Sequence, residues 1–230
     1  MREDSGIRLS KCGRFYMING EQYVRVTHTI KQLPKPWLDR WRLRVGDEEA
    51  DRIANETAWY GDMIHLVTEY HDKNMFKERD ALVKEQPWLV PYIVAWMVWS
   101  KERIEKWIWV ERIAYHSHFR VAGRIDRMGI FYGDASPTIV DIKSGTSLAD
   151  TIGIQLYLYR SAAMDTIRRE ELGEYLIPDR TVVAHLPGPR YDENGNNKTL
   201  VDKVIIKPYE CKRYQTAAIE CVQEFWNLVT

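Results

Sequence analysis

Two short runs carry the residues best suited to chemistry. They are Gly123-Arg-Ile-Asp126-Arg and Ile139-Val-Asp141-Ile-Lys143-Ser-Gly145. Each sets charged side chains into an apolar, strand-like alternation. On a strand, Asp141 and Lys143 share one face, and Val140 and Ile142 share the other. Val140 and Ile142 supply the burial, so placing a carboxylate and an ammonium in the same strand costs desolvation. If the neighbouring strand brings Asp126 alongside, two carboxylates and one ammonium converge. Two such carboxylates repel unless a cation lies between them. Oxygen ligands with water in the remaining positions suit Mg²⁺ or Mn²⁺. A lysine beside that cation can help deprotonate or orient an attacking water and offset charge on a phosphoryl oxygen. These are the parts of metal-assisted phosphodiester hydrolysis. A generic Asp-x-Lys on a strand is otherwise an ion-pair network of Asp126, Lys143 and Asp141 at a sheet edge.

Further residues weigh against that plain reading. His65 closes a Gly61-x-x-x-His65 run in a helical region, where Gly61 leaves room for close approach and His65 can act as a ligand. Glu111 opens the strand before Asp126 and is a third carboxylate candidate. Gln155 and Tyr159 lie four apart on the helix after Lys143, so they share a face and can hydrogen-bond phosphate or the lysine. The backbone N–H groups of Ser144, Gly145 and Thr146 could hold a phosphate at the next helix start, although turn chemistry explains them equally well. Arg124 and Arg127, beside Asp126, are expected to face away from the site unless the strand is bulged. His116 and His118 alternate as an H-x-H pair with no further ligand placed near them.

The elements that must position these residues follow from patterning. Asn19-Gly20 between Arg14–Ile18 and Gln22–Val26 predicts a β-hairpin. Helices are expected over 27–33, 37–45, 47–72, 94–108, 146–164 and 214–228. Strands are expected over 109–116, 119–131, 138–142, 181–185 and 203–206. Trp96, Trp99 and Trp107 form a stripe at helical spacing and are assigned to the core. The order of elements implies an α/β (mixed α+β) fold, with a central mixed sheet of about five strands flanked by helices.

Bulk properties bound the function. The chain has 230 residues, 33 basic and 33 acidic side chains and a formal net charge of +0. That balance excludes nucleic-acid binding by bulk positive charge but not by local patches. Residues 1–45 hold ten basic and four acidic side chains, whereas residues 46–90 hold five and eleven. The neutrality is a cancellation between neighbouring segments. Cys12, Cys211 and Cys221 are three, far apart, which favours a reducing compartment over a disulfide framework. The start carries no apolar stretch suited to a secretory signal, so a cytoplasmic protein is expected.

The ordered set Gly61-x-x-x-His65, Glu111, Gly123-x-Ile-Asp126, Val140-Asp-Ile-Lys143-Ser-Gly and Gln155-x-x-x-Tyr159 resembles the PD-(D/E)XK nuclease superfamily. It looks most like the RecB-type exonuclease branch, including phage-encoded members. The resemblance implies one nuclease domain over 1–230 with a restriction-endonuclease-like core. That domain would comprise an N-terminal hairpin and basic helical arm (1–45), a helical region (46–110), the catalytic core (111–165) and C-terminal strands with a helix (166–230). It implies a metal-dependent DNA exonuclease using Mg²⁺ or Mn²⁺ in phage-type recombination, repair or DNA processing. His65, Asp126, Asp141 and the carbonyl of Ile142 would hold metal. Lys143 would be the catalytic lysine, with Glu111 supporting it or a second metal. Gln155 and Tyr159 would support the site and contact the DNA backbone. A single-strand annealing protein or a helicase is the kind of partner it allows. Three cysteines fall short of the four that hold an iron–sulfur cluster in many relatives, so no cluster is expected. The alternatives are a structure-specific endonuclease or resolvase on the same fold, or a catalytically silent DNA-binding module.

Overall fold

The structure is a computed structural model that describes residues 7–145, 148–190, 199 and 201–229. Its frame is an eight-stranded mixed sheet with helices on both faces. The chain begins with β1 (Ile7–Leu9), β2 (Phe15–Ile18) and β3 (Glu21–Arg25), antiparallel neighbours in that order. Asn19 and Gly20 close the β2–β3 hairpin with φ of 52° and 84°, the left-handed pair that a two-residue turn needs. Helices α1 (Val26–Lys31), α2 (Pro36–Val45), α3 (Asp47–Asp72), α4 (Phe76–Glu85) and α5 (Val90–Arg103) follow. Pro36 sits in the first turn of α2 and Pro91 in that of α5, where a missing N–H costs nothing.

Strands β4 (Ile104–His116), β5 (Val121–Phe131) and β6 (Thr138–Lys143) form an antiparallel meander. Helix α6 (Ile152–Arg169) crosses to β7 (Arg180–His185), parallel to β6, and β8 (Ile205–Tyr209) pairs antiparallel with β7. Helix α7 (Gln215–Val229) ends the described chain. The sheet runs β1-β2-β3-β5-β6-β7-β8, with β4 on the other flank of β5. The sheet is therefore larger than the five strands expected. The N-terminal hairpin joins it through a short parallel pairing, Val24 with Val121 and Arg25 with Ala122.

Two cores sandwich the sheet. On one face α1, α6 and α7 bury Val26, Ile30, Leu156, Ala163, Val222 and Phe225 against Val121, Ile125, Ile139 and Val183. On the other, α3 and α5 bury Ile64, Val67, Tyr92 and Trp96 against Val140, Ile142, Val182 and Ala184. Among the described residues, no helix is long and apolar enough to cross a membrane.

One boundary differs in kind, with strand where helix was expected. The amphipathic helix expected over 94–108 breaks at Arg103, and Ile104–Ile108 is already β4. Trp107 therefore stands on a strand, yet it still joins Trp96 and Trp99. Its ring lies 6.0 Å from that of Trp96 and within 3° of parallel. The aromatic cluster survives because helix and strand meet there.

Candidate metal centre

The site follows from an interruption in the sheet. One edge of β5 pairs with β6 at residues 127–129 and with β3 at residues 121–122. Between these pairings, around Gly123 to Asp126, β5 has no strand neighbour on that edge among the described residues, and the sheet forks. Asp126 stands in the fork. Its Oδ2 accepts a hydrogen bond of 2.7 Å from the backbone N–H of Ile142, so the carboxylate replaces the missing ladder contact. Ile142, expected as a ligand through its carbonyl, is seen in the site through this N–H.

Four elements converge on the fork. His65, partly exposed on α3, places Nδ1 3.7 Å from Asp126 Oδ1 and 3.8 Å from Glu111 Oε1. Glu111 on β4 is buried, and its backbone adopts φ 53° in the middle of the strand. For a non-glycine residue this conformation costs on the order of 1–3 kcal/mol and concentrates at functional sites. One donor atom from each of His65, Glu111 and Asp126 lies within 4.8 Å of the others. Asp141 and Lys143 face the same cavity from β6, with Lys143 Nζ 2.7 Å from Asp141 Oδ2. Gln155, from α6, donates to Asp141 Oδ1 at 3.3 Å. Tyr159, one turn on, is buried beside them and packs over Gly123, where a Cβ would come within 2.4 Å of its ring. That glycine is required for the close approach. The cavity has a volume of about 600 Å³.

Electrostatics reflect the crowding. Burial pushes the Asp141 carboxyl up to about 6, with Lys143 opposing and Asp126 adding to the rise. Burial opposes the charged form of His65, but Asp126 and Glu111 outweigh it and hold His65 above its ordinary value. Burial likewise works against the Lys143 ammonium, and Asp141 and Asp126 overcome it, so Lys143 is held as a cation. Burial and the same two carboxylates raise Tyr159 well above the tyrosine range, leaving a neutral hydroxyl.

The largest departure from sequence reasoning is Arg127. It does not face away from the site's supports, and it is fully buried. Its guanidinium donates to Asp72 Oδ2 at 2.6 Å, Glu111 Oε1 at 2.9 Å, the Asp126 carbonyl at 2.7 Å and Thr68 Oγ1 at 3.1 Å. Asp72 also accepts the indole N–H groups of Trp96 and Trp107. A buried relay of tryptophans, Asp72 and Arg127 thus fixes Glu111 from below. Arg124, two residues before Asp126, lines the cavity and lies 3.9 Å from Glu111 Oε2. The strand period of two puts it on the face of Asp126, so it too is corrected.

Other expectations fall outside the cluster. Ser144 packs against Gly61, and its carbonyl accepts from Gly188 N at 2.7 Å. The Gly145 carbonyl meets His185 Nε2 at 2.6 Å. Helix α6 begins only at Ile152, so Ser144 and Gly145 are not at its start. Thr146 lies outside the described residues. His116 stacks on Phe119 and accepts its N–H, and it forms no ligand pair with His118. Tyr16 and Arg25, which also line the cavity, gave no sequence signal, because only the β3–β5 pairing brings the hairpin here.

The donor set suits a hard divalent cation. Ligands on Mg²⁺ or Mn²⁺, at roughly 2.1 Å each, are separated by at most about 4.2 Å. The His65–Asp126 and His65–Glu111 separations of 3.7 and 3.8 Å fall inside that span and are too long for hydrogen bonds. Neither the protein-family models nor the curated proteins include a match to this chain.

Proposed function

We propose that this protein is a metal-dependent deoxyribonuclease, acting as an exonuclease, of the PD-(D/E)XK type and its RecB-like branch. The observation that carries the reading is the convergence of His65, Glu111 and Asp126 at the β5 fork, beside the Asp141–Lys143 pair. A structural ion-pair network has no need of a histidine and two carboxylates drawn together at distances too long for hydrogen bonds.

His65, Glu111 and Asp126 would hold Mg²⁺ or Mn²⁺, with Asp141 joining as Lys143 shifts to substrate. The cation would supply Lewis acidity at the scissile phosphate. Lys143 supplies a fixed positive charge and rotatable donors, which orient the attacking water and offset charge on the phosphoryl oxygens. Gln155 holds Asp141 in place. Tyr159, kept neutral, offers a hydroxyl to the phosphodiester backbone. Arg124, exposed at the rim, adds a cation for the incoming strand.

Digestion of end-labelled linear DNA beside closed single-stranded circles tests the reading. The expected result is loss of the linear substrate with Mg²⁺ or Mn²⁺, intact circles, and no cleavage by Asp141→Asn or Lys143→Ala. Cleaved circles would favour an endonuclease on the same site. No cleavage with either metal would overturn the enzymatic reading.

A further inference from the structure

A second cavity, of about 1010 Å³, lies directly beside the first. It is bounded by α2, by the N-terminal half of α3 and by the segment after β7, including Gly188. The two cavities meet at the contact between Gly61 and Ser144. Asp62, His65, Leu66 and Glu69 of α3 line the cavity of the candidate metal centre, whereas Glu56, Thr57 and Tyr60 line the second cavity. Lys143 lines the first and Ser144, the next residue, lines the second. Gly188 bridges the floor, 3.3 Å from the Ser144 carbonyl and 3.6 Å from Tyr60 Cβ as measured from its ideal Cβ position.

The walls are aromatic and basic. Trp37 and Trp41, one turn apart on α2, face Tyr60 across the cavity, with Arg44 one turn further and Arg190 opposite. Helix α2 buries none of its residues, and Trp37 is 57% exposed. Its tryptophans therefore do not belong to either core. Tyr60 is braced edge-on by Trp88 at 5.1 Å and at a tilt by Trp59 at 5.2 Å, which makes its ring a fixed platform. The acid in the wall, Glu56, pairs with Arg52 at 3.2 Å and accepts a hydrogen bond from the Tyr60 hydroxyl at 3.0 Å. Arg44 makes no ion pair among the described residues, and Arg40 on the same helix and Lys35 just before it add positive charge.

We propose that this groove binds an unpaired DNA strand, whose bases stack on Trp37, Trp41 and Tyr60 while Arg44 meets its phosphates. Aromatic platforms interleaved with cations are what sequence-tolerant single-strand binding requires. An apolar partner protein would gain nothing from the exposed arginines. The groove lies one residue from Lys143, so a strand bound there runs past the Gly61–Ser144 contact to the candidate centre. The link to cleavage rests on the nuclease reading, but the binding itself does not.

The test is fluorescence anisotropy of labelled oligo-dT with the full chain, in Ca²⁺ to prevent cleavage. The Trp37→Ala/Trp41→Ala pair should bind about tenfold more weakly or worse, with an unchanged thermal midpoint. Replacing the thymines by abasic units should weaken binding to the native protein more than to the pair variant, which keeps only Tyr60 as a platform. Arg44→Ala should reduce the salt slope by about one phosphate contact. Unchanged oligo-dT affinity in the pair variant would overturn the proposal. So would a change confined to oligomeric mass by light scattering, which would make the groove an interface between copies. Binding lost in the pair variant, with no cleavage by any form, would keep the groove and remove the nuclease. Cleavage with unchanged binding would do the reverse.

Discussion

Arg127→Met removes the centre of the buried relay beneath Glu111. The native guanidinium makes four hydrogen bonds, two of them to carboxylates, and its side chain and that of Asp72 are 0% and 1% exposed. Methionine fills much of the volume but leaves Asp72 with indole donors only and frees Glu111 from its inner anchor. Breaking a buried pair by removing one partner costs about 3–5 kcal/mol. For a domain of this size that corresponds to a fall of roughly 6–20 °C in thermal midpoint. The loss depends on pH. Burial already holds Asp72 above the ordinary carboxylate range, although Arg127 opposes it. Without Arg127 the carboxyl rises further, so the folded variant binds a proton that the unfolded chain does not. The deficit should therefore shrink as pH is lowered toward the unfolded carboxylate range. Thermal unfolding of the variant and the native protein at two pH values measures both effects. The Asp72→Asn/Arg127→Met double variant should recover part of the loss, because it removes both charges together. A single variant within a degree or two of native, or a deficit that grows at low pH, would refute the relay.

Other expectations are compact. Gly123→Ala drives a methyl group to 2.4 Å from the Tyr159 ring and 3.3 Å from Val26, so the denaturation midpoint should fall by about 1–3 kcal/mol equivalent. Wild-type stability should fall between pH 7 and pH 5. Burial lowers His71, His116 and His28, and the Nδ1 atoms of His71 and His116 face donors, so protonation below about 6.5 in the unfolded chain is not matched in the fold. His65, Asp72 and Asp141, all held above their ordinary values, contribute the opposite sign and reduce the fall, and a thermal midpoint that climbs on acidification would contradict the dominance of the three lowered histidines. Lys143→Ala should lower DNA cleavage about 100-fold or more while leaving Mn²⁺ affinity within a few-fold of native in calorimetry.

Local signals carried much of this fold. Asn19-Gly20 marks the hairpin turn because few other dipeptides tolerate two left-handed residues. Helix α3 begins and ends where its pattern does, at Asp47 and Asp72. The α5–β4 boundary was illegible because apolar residues continue on both sides of the charged stretch Lys101–Lys106, and Trp96, Trp99 and Trp107 keep a spacing that a helix also allows. Strand β1, three residues long and largely exposed, has no pattern to read. The eight-stranded count depends on a two-residue parallel pairing between β3 and β5, segments about a hundred residues apart.

The site divides the same way. His65, Asp126, Asp141, Lys143, Gln155 and Tyr159 stood out because each places a polar group in an apolar period. Arg127 gave that signal too, but its partner Asp72 lies 55 residues away on another element, and alternation alone pointed it elsewhere. The bulged β4–β5 register and the left-handed Glu111 overturn that simple alternation.

The central claim is that the β5 fork holds a divalent cation. Anomalous diffraction from crystals soaked in Mn²⁺ tests it most directly. One strong peak is expected within roughly 2.3 Å of a His65 ring nitrogen and of carboxylate oxygens from Glu111 and Asp126. A fork without a peak, or manganese bound elsewhere while these three side chains keep their present spacing, would contradict it.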